Sequence, residues 1–339
     1  MTGVTPEQVW YQGHPLGLLL APLSWLYCAA AALRAWAFRR GWLASSAAGV
    51  PVIVVGNLTV GGTGKTPLVI WLVDWLRRRG HRPGIASRGY GGRAGAEPLD
   101  VAAGGDPALT GDEPLLLARH TGVPVVVSRD RVAAARRLAA LHGCDVVVTD
   151  DGLQHYRLRR DLEILVIDGD RRLGNGRCLP AGPLREPARR MRSADLIIVN
   201  GGGDRDHAGM WLVPGDAVNL ADPGRTRPID AFRGRPVTAV AGIGHPRRFF
   251  AMLSALGLEV DPRPYPDHHR FQPADLALWP PGPVLMTEKD AVKLAGLAEP
   301  RHWYVPVQAR PEARFVSALE RALAAAGIAI AGGGAHGQR

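Results

Sequence analysis

The segment Val52-Ile-Val-Val-Gly-Asn-Leu-Thr-Val-Gly-Gly-Thr-Gly-Lys-Thr-Pro67 gathers, in chain order, the groups that could hold a nucleoside triphosphate. Gly61, Gly62 and Gly64 allow backbone N–H groups to turn inward around phosphate oxygens, Lys65 adds a cation, and Thr66 offers a hydroxyl to Mg²⁺. Pro67 suits a first helical turn, where a backbone N–H has no intrahelical partner. The pattern G-x-x-x-x-G-K-[ST] is met except at its first position, which is Thr59. The flanking strand and helix distinguish this segment from a glycine-rich turn that binds nothing.

Carboxylates able to act on a bound triphosphate stand in two places. The run Cys144-Asp-Val-Val-Val-Thr-Asp-Asp-Gly152 ends an apolar strand in Asp150 and Asp151, as a Walker B element does when it holds Mg²⁺ directly or through water. The carboxyl end of a central parallel strand faces the ligand crevice, although the same pair could simply start a turn before Gly152. Gly111-Asp-Glu-Pro114 places Asp112 and Glu113 at a probable helix start, where acidic residues often serve as N-caps. Phosphoryl transfer to a hydroxyl needs more than a cap: a positioned base must take the proton, and cations must meet the developing charge.

Holding these groups together requires a sheet. Strands are expected at 52–55, 83–87, 123–127, 145–149, 162–167 and 196–199, with amphipathic helices such as 68–79 and 131–142 between them. This βαβ rhythm implies an α/β fold whose first domain, 46–210, is a P-loop NTPase-like parallel sheet covered on both faces. Residues 211–235, rich in Pro, Gly and Arg, read as an extended linker. A smaller α/β domain is expected over 236–330, with strands at 237–241, 284–287 and 303–307 and helices near 247–256 and 311–326. The tail 331–339 reads as disordered.

With 339 residues, 46% of them hydrophobic, the chain is long enough for two cores. Three cysteines without a C-x-x-C pair argue against both a disulfide framework and a zinc site. A formal charge of +10 favours an anionic partner, but the basic residues are spread widely and no aromatic-interleaved basic motif suggests nucleic acid. Within residues 1–45, Leu16 to Leu33 form an uncharged, largely apolar run followed by Arg34, Arg39 and Arg40, at the lower edge of spanning length. No Lys or Arg precedes it, unlike a secretory signal. Trp25, Tyr27, Trp36 and Trp42 suit a membrane interface, so a membrane-associated helix is expected in place of a buried core helix.

Taken together, the motifs resemble one family. Thr59-Val-Gly-Gly-Thr-Gly-Lys-Thr-Pro67, Ser87-Arg-Gly-Tyr-Gly91, Gly111-Asp-Glu-Pro114, Ser128-Arg-Asp-Arg131, Asp150-Asp-Gly-Leu-Gln-His155, Pro180-Ala-Gly-Pro-Leu-Arg-Glu-Pro187 and Met286-Thr-Glu-Lys-Asp-Ala-Val-Lys293 are similar to those of the tetraacyldisaccharide 4'-kinases of lipid A synthesis. The resemblance covers nearly the whole chain and includes the threonine at the first loop position. It implies two α/β/α sandwich domains joined by a short β linker, with transfer of phosphoryl from ATP to the 4'-hydroxyl of a tetraacyldisaccharide 1-phosphate. The setting it implies is the cytoplasmic face of a Gram-negative inner membrane, with the bilayer and the acylated lipid as partners and no obligate protein partner.

The resemblance also implies roles. Thr59, Val60, Gly61, Gly62, Thr63, Gly64, Lys65 and Thr66 bind ATP; Thr66, Glu113 and Asp150 hold Mg²⁺; Asp112, Asp151, Lys65 and His268 carry the chemistry. Asp112 resembles the general base, acting with His268 of Pro266-Asp-His-His-Arg-Phe271 rather than with His269. Arg88, Tyr90, Gln154, His155, Arg185 and Glu186 are expected at the acceptor, where an arginine fork suits a sugar phosphate. His245 has no role beyond structure. A membrane-associated switch ATPase would carry a second lysine where this chain has Val60, and a GTP-dependent metallochaperone would show [NT]-K-x-D where Thr287-Glu-Lys-Asp290 has another order.

Overall fold

The computed structural model describes residues 4–329; the tail 331–339 lies outside them. The strands are β1 Val52–Gly56, β2 Pro83–Ser87, β3 Leu99–Asp100, β4 Val125–Val127, β5 Val146–Asp150, β6 Leu162–Asp168, β7 Leu196–Asn200 and β8 Ala208–Pro214. They continue as β9 Ala217–Asn219, β10 Thr226–Arg227, β11 Pro236–Ala241, β12 Glu259–Pro264, β13 Val284–Thr287, β14 His302–Val305 and β15 Val307–Pro311. A nine-stranded sheet runs β15-β8-β7-β6-β1-β5-β2-β4-β3, and a six-stranded sheet runs β10-β9-β14-β13-β11-β12.

At the centre of the larger sheet β1 pairs in parallel with β5 and β6. Because side chains alternate along a strand, Ile53 and Val55 enter one apolar cluster and Val52 and Val54 another. Both faces are therefore buried, which is why β1 reads as an unbroken β-branched run. The first face is covered by α4 Lys65–Arg78 and α6 Asp112–Thr121, the second by α7 Arg131–His142. A short helix, α5 Pro107–Thr110, precedes α6. The register sets Val55 beside Asp150, so the start of the glycine loop and the acidic end of β5 emerge together.

The smaller sheet also buries both faces, against α8 Pro246–Ala255 on one side and α9 Pro273–Ala277 and α10 Glu288–Leu294 on the other. Its connection to the larger sheet differs from the expected linker. β8 belongs to the larger sheet and β9 to the smaller, with only Gly215 and Asp216 between them. β14 and β15 make the reverse crossing at Pro306, whose carbonyl accepts from the Gly215 N–H at 2.9 Å. From Val307 the chain rejoins the larger sheet, and α11 Ala313–Ala325 buries Phe315, Leu319 and Leu323 in the cluster that holds Ile53. The expected single strand at 303–307 is thus split, and the helix expected in the smaller domain covers the larger sheet.

The N-terminal apolar run is also divided. After α1 Pro6–Tyr11 come α2 Leu16–Leu19 and α3 Ala21–Arg39, which meet at Leu20 just before Pro22. Ala21, Ser24 and Ala35 bury one stripe of α3, with the Ser24 hydroxyl donating to the Cys178 carbonyl at 2.6 Å. Leu18, Leu19, Leu23, Trp25, Leu26 and Leu33 remain exposed. No described helix is long and apolar enough to cross a membrane, so the run, expected at the lower edge of spanning length, falls short of it.

Candidate active site

The glycine loop is held open by side chains at its base. Gly64, with φ of 90°, caps α4 and lies so close to Asn200 that a Cβ would fall 2.4 Å from Nδ2, so glycine is required by conformation and by space. Asn200 Nδ2 donates to the Thr63 carbonyl at 3.0 Å, and Asn57 Nδ2 donates to the Thr59 carbonyl at 2.9 Å. Lys65 Nζ rests 3.1 Å from Asn57 Oδ1 and 3.5 Å from Asp151 Oδ1. The loop thus presents N–H groups and a cation at the start of a helix, where anions are favoured. Thr59, at the start of the loop, is 6% exposed.

Asp150 and Asp151 leave β5 into different surroundings. Asp151, in the left-handed region at φ of 55°, accepts from Arg185 Nη1 at 2.8 Å. Partial burial would raise its pKa, but Lys65 and Arg185 outweigh this and hold the carboxyl well below the usual range. Asp150 is 1% exposed, and neither carboxylate oxygen has a hydrogen-bond partner. Burial, with Glu113 adding a like charge, pushes it up to about 7. An orphaned buried carboxylate with the like charge of Glu113 acting on it suits a hard divalent cation.

Across the cavity, Asp112 begins α6, and its Oδ2 lies 3.2 Å from Nδ1 of His268. His268 comes from the loop after β12, so this contact joins the two sheets, with the Tyr90 ring 5.0 Å from the imidazole. Lys289, at the start of α10, reaches Glu113 Oε1 at 3.0 Å and Asp267 Oδ1 at 3.2 Å. Burial works against its charge, but Glu113 and Asp267 hold the ammonium above its ordinary range.

These groups open into one cavity of about 1230 Å³. It brings together Val60 to Thr66, Arg88, Tyr90, Glu113, Asp150, Asp151, Gln154, His155, Arg185, Glu186 and His268. Asp112, its side chain 14% exposed, adjoins the cavity through its contact with His268. Gln154 donates to the Asn57 carbonyl at 3.1 Å, and Glu186, 3% exposed, accepts from the Tyr156 hydroxyl while its Oε1 has no partner. Burial, aided by Arg131, pushes His155 down to about 4 and keeps its ring neutral. Its lining also includes Tyr27, Ala30, Ala31 and Arg34 of α3 and Trp211, Ile243, Phe249 and Met252.

A second charged cluster latches the smaller sheet over the glycine loop. His245 Nδ1 lies 3.5 Å from Asp168, Arg248 bridges Asp168 at 2.8 Å and Asp170 at 3.0 Å, and Arg171 donates to the Gly244 carbonyl at 2.7 Å. Gly244 lies so near Gly62 that a Cβ would approach its nitrogen to 2.5 Å. Among the described residues Asp168, Asp170 and His245 are the group with metal-ligand spacing, but Arg248 already spans its carboxylates.

The family model for tetraacyldisaccharide-1-P 4'-kinase, LpxK, matches residues 16–324. The chain belongs to that family. Tetraacyldisaccharide 4'-kinase of Alkalilimnicola ehrlichii is 56% identical over 311 residues, covering 90% of this chain and 92% of the relative. That of Pseudomonas aeruginosa is 49% identical over 312 residues, covering 91% and 93%. The crystal structure of LpxK from Aquifex aeolicus in complex with ATP superposes with a TM-score of 0.73 at 30% identity, covering 91% of this chain and 99% of that one. The sequence alone assigns no role to Asn57, Asn200, Arg131 or Lys289. Lys289 and Arg131 stand inside the motifs Met286–Lys293 and Ser128–Arg131, so the signal was present without an assigned role.

Proposed function

We infer that this protein transfers the γ-phosphoryl group of ATP to the 4'-hydroxyl of a tetraacyldisaccharide 1-phosphate, the activity named for its family. The observation that carries the reading is the convergence of the glycine loop, the unpartnered Asp150 and His268 on one cavity, with Asp112 held 3.2 Å from His268 Nδ1. Lys65 leaves Asn57 and Asp151 for the β- and γ-phosphates, and Thr66, Asp150 and Glu113 are the residues that would hold Mg²⁺. Bound there, Mg²⁺ would neutralise charge on the phosphates. Asp112 takes the proton of the attacking 4'-hydroxyl as the new O–P bond forms and ADP departs. His268 orients that carboxylate. Arg185 keeps Asp151 ionised beside Lys65, and Arg88, Tyr90, Gln154, His155 and Glu186 line the acceptor side.

The exposed leucines and Trp25 of α3 dip into the cytoplasmic face of the inner membrane while Tyr27, Ala30, Ala31 and Arg34 line the cavity. One helix therefore touches both bilayer and acceptor, holding the reactive sugar at the height of the active site. The two sheets act as two α/β/α domains closing on ATP. Incubation with ATP, Mg²⁺ and the tetraacyl acceptor in detergent should yield a lipid heavier by one phosphoryl group in mass spectra. ATP hydrolysis without that product would support a switch ATPase instead.

A further inference from the structure

We propose that Lys289 is a positioning residue for the Asp112–His268 pair: its ammonium keeps Nε2 of His268 as a hydrogen-bond acceptor and so fixes the ring proton on Nδ1, toward Asp112. This rests on the reading of Asp112 as the base and deepens it with a residue to which no role had been assigned.

The geometry is specific. Lys289 Nζ lies 3.4 Å from His268 Nε2, and an ammonium group can only donate. A proton on Nε2 would set two donors face to face, so the lone pair belongs there. The proton of the neutral ring then lies on Nδ1, which is 3.2 Å from Asp112 Oδ2. One oxygen of Asp112 is thereby engaged as an acceptor, leaving the other for the hydroxyl proton.

The charged groups facing His268 make the arrangement a competition. Asp112 approaches from α6, Asp267 from the preceding position with Oδ1 3.8 Å from Nε2, and Lys289 from α10. Left alone, Asp267 would draw a proton onto Nε2. Lys289 prevents this by occupying Asp267 Oδ1 at 3.2 Å while turning its own protons toward Nε2. Its position is set by α10, whose Glu288 meets His120 of α6 at 2.5 Å and whose Lys289 meets Glu113 of the same helix at 3.0 Å. His268 itself sits at φ of 61°, a conformation that surrounding contacts must impose.

The test uses full-length protein with ¹⁵N-labelled histidine, whose long-range ¹H–¹⁵N correlations report the tautomer of His268, alongside kinetics of Lys289→Met and Lys289→Arg. The wild type should show the Nδ1–H form. Lys289→Met should move the proton to Nε2 or protonate both nitrogens, and lower kcat by about tenfold or more with KM for ATP and acceptor changed less than about threefold. Lys289→Arg should keep the Nδ1–H form and recover most of kcat. An unchanged tautomer in Lys289→Met would overturn the proposal whatever the rate does, as would a change in KM alone. Because the spectrum is read without turnover, it decides the role of Lys289 even if His268→Ala retains full activity and removes the pair from catalysis.

Discussion

Asp150 and Asp151 are adjacent in the chain and opposite in circumstance: Arg185 Nη1 lies 2.8 Å from Asp151 Oδ2, whereas neither oxygen of Asp150 has a hydrogen-bond partner. The end of β5 thus presents one carboxylate already neutralised by arginine and lysine and one that is complete only when a cation arrives.

The protonation of Asp150 should be visible in stability. Its folded-state pKa of about 7 lies above the ordinary 3.8, so the folded protein retains a proton the unfolded chain releases. The stability this confers is fully present below the unfolded value and is lost as pH rises through the folded one. In metal-free buffer, urea denaturation should show Asp150→Asn exceeding the wild type by on the order of 3 kcal/mol at pH 8, the gap closing as pH falls toward 4. A gap independent of pH would show that the carboxyl is not held protonated.

Asp112 and Asp150 should separate on mutation. Asp112→Asn keeps the side-chain shape and removes the base, so lipid phosphorylation should fall on the order of a hundredfold or more while calorimetry shows Mg²⁺–ATP binding nearly intact. Asp150→Asn should weaken Mg²⁺-dependent ATP binding itself. Full phosphorylation by Asp112→Asn would remove the base assignment.

Lys65 carries the charge nearest the transferring group. Lys65→Ala should lower turnover by about a hundredfold or more with the circular dichroism spectrum and unfolding midpoint little changed, since its partners Asn57 and Asp151 are tied elsewhere to Thr59 and Arg185. Normal turnover would place the phosphates elsewhere.

The exposed face of α3 should govern membrane attachment. Leu23 and Leu26 are 56% and 70% exposed, so Leu23→Asp with Leu26→Asp should leave folding intact yet move the protein from the membrane to the soluble fraction. Wild-type protein should remain with membranes in 1 M salt, where screening shortens electrostatic reach to roughly 3 Å. Release of the wild type by salt alone would make the attachment electrostatic.

What the sequence revealed follows from how local the signals were. The central strands and α4 and α7 are written in β-branched runs and helical periodicity, and the glycine loop and the Asp150–Asp151 pair announce themselves by spacing. The return of β15 to β8 depends on a pairing between residues such as Ala309 and Leu212 that no local pattern encodes. The contact of Asp112 with His268 spans two sheets and was reached through family resemblance rather than through periodicity. The role of Lys289 is not local in sequence, because its partners are Glu113 of α6 and the neighbouring Asp267 and His268 of the loop after β12. α3 was legible as apolar, but not its break at Leu20 or its second face on the cavity.

The most direct test of the account is transfer of ³²P from γ-labelled ATP to a tetraacyldisaccharide 1-phosphate presented in bilayers, followed by locating the new phosphate on the sugar. The account predicts label in the lipid at the 4'-position, dependent on Mg²⁺ and abolished in Lys65→Ala. Label appearing only as free phosphate, or on any other hydroxyl of the disaccharide, would contradict it.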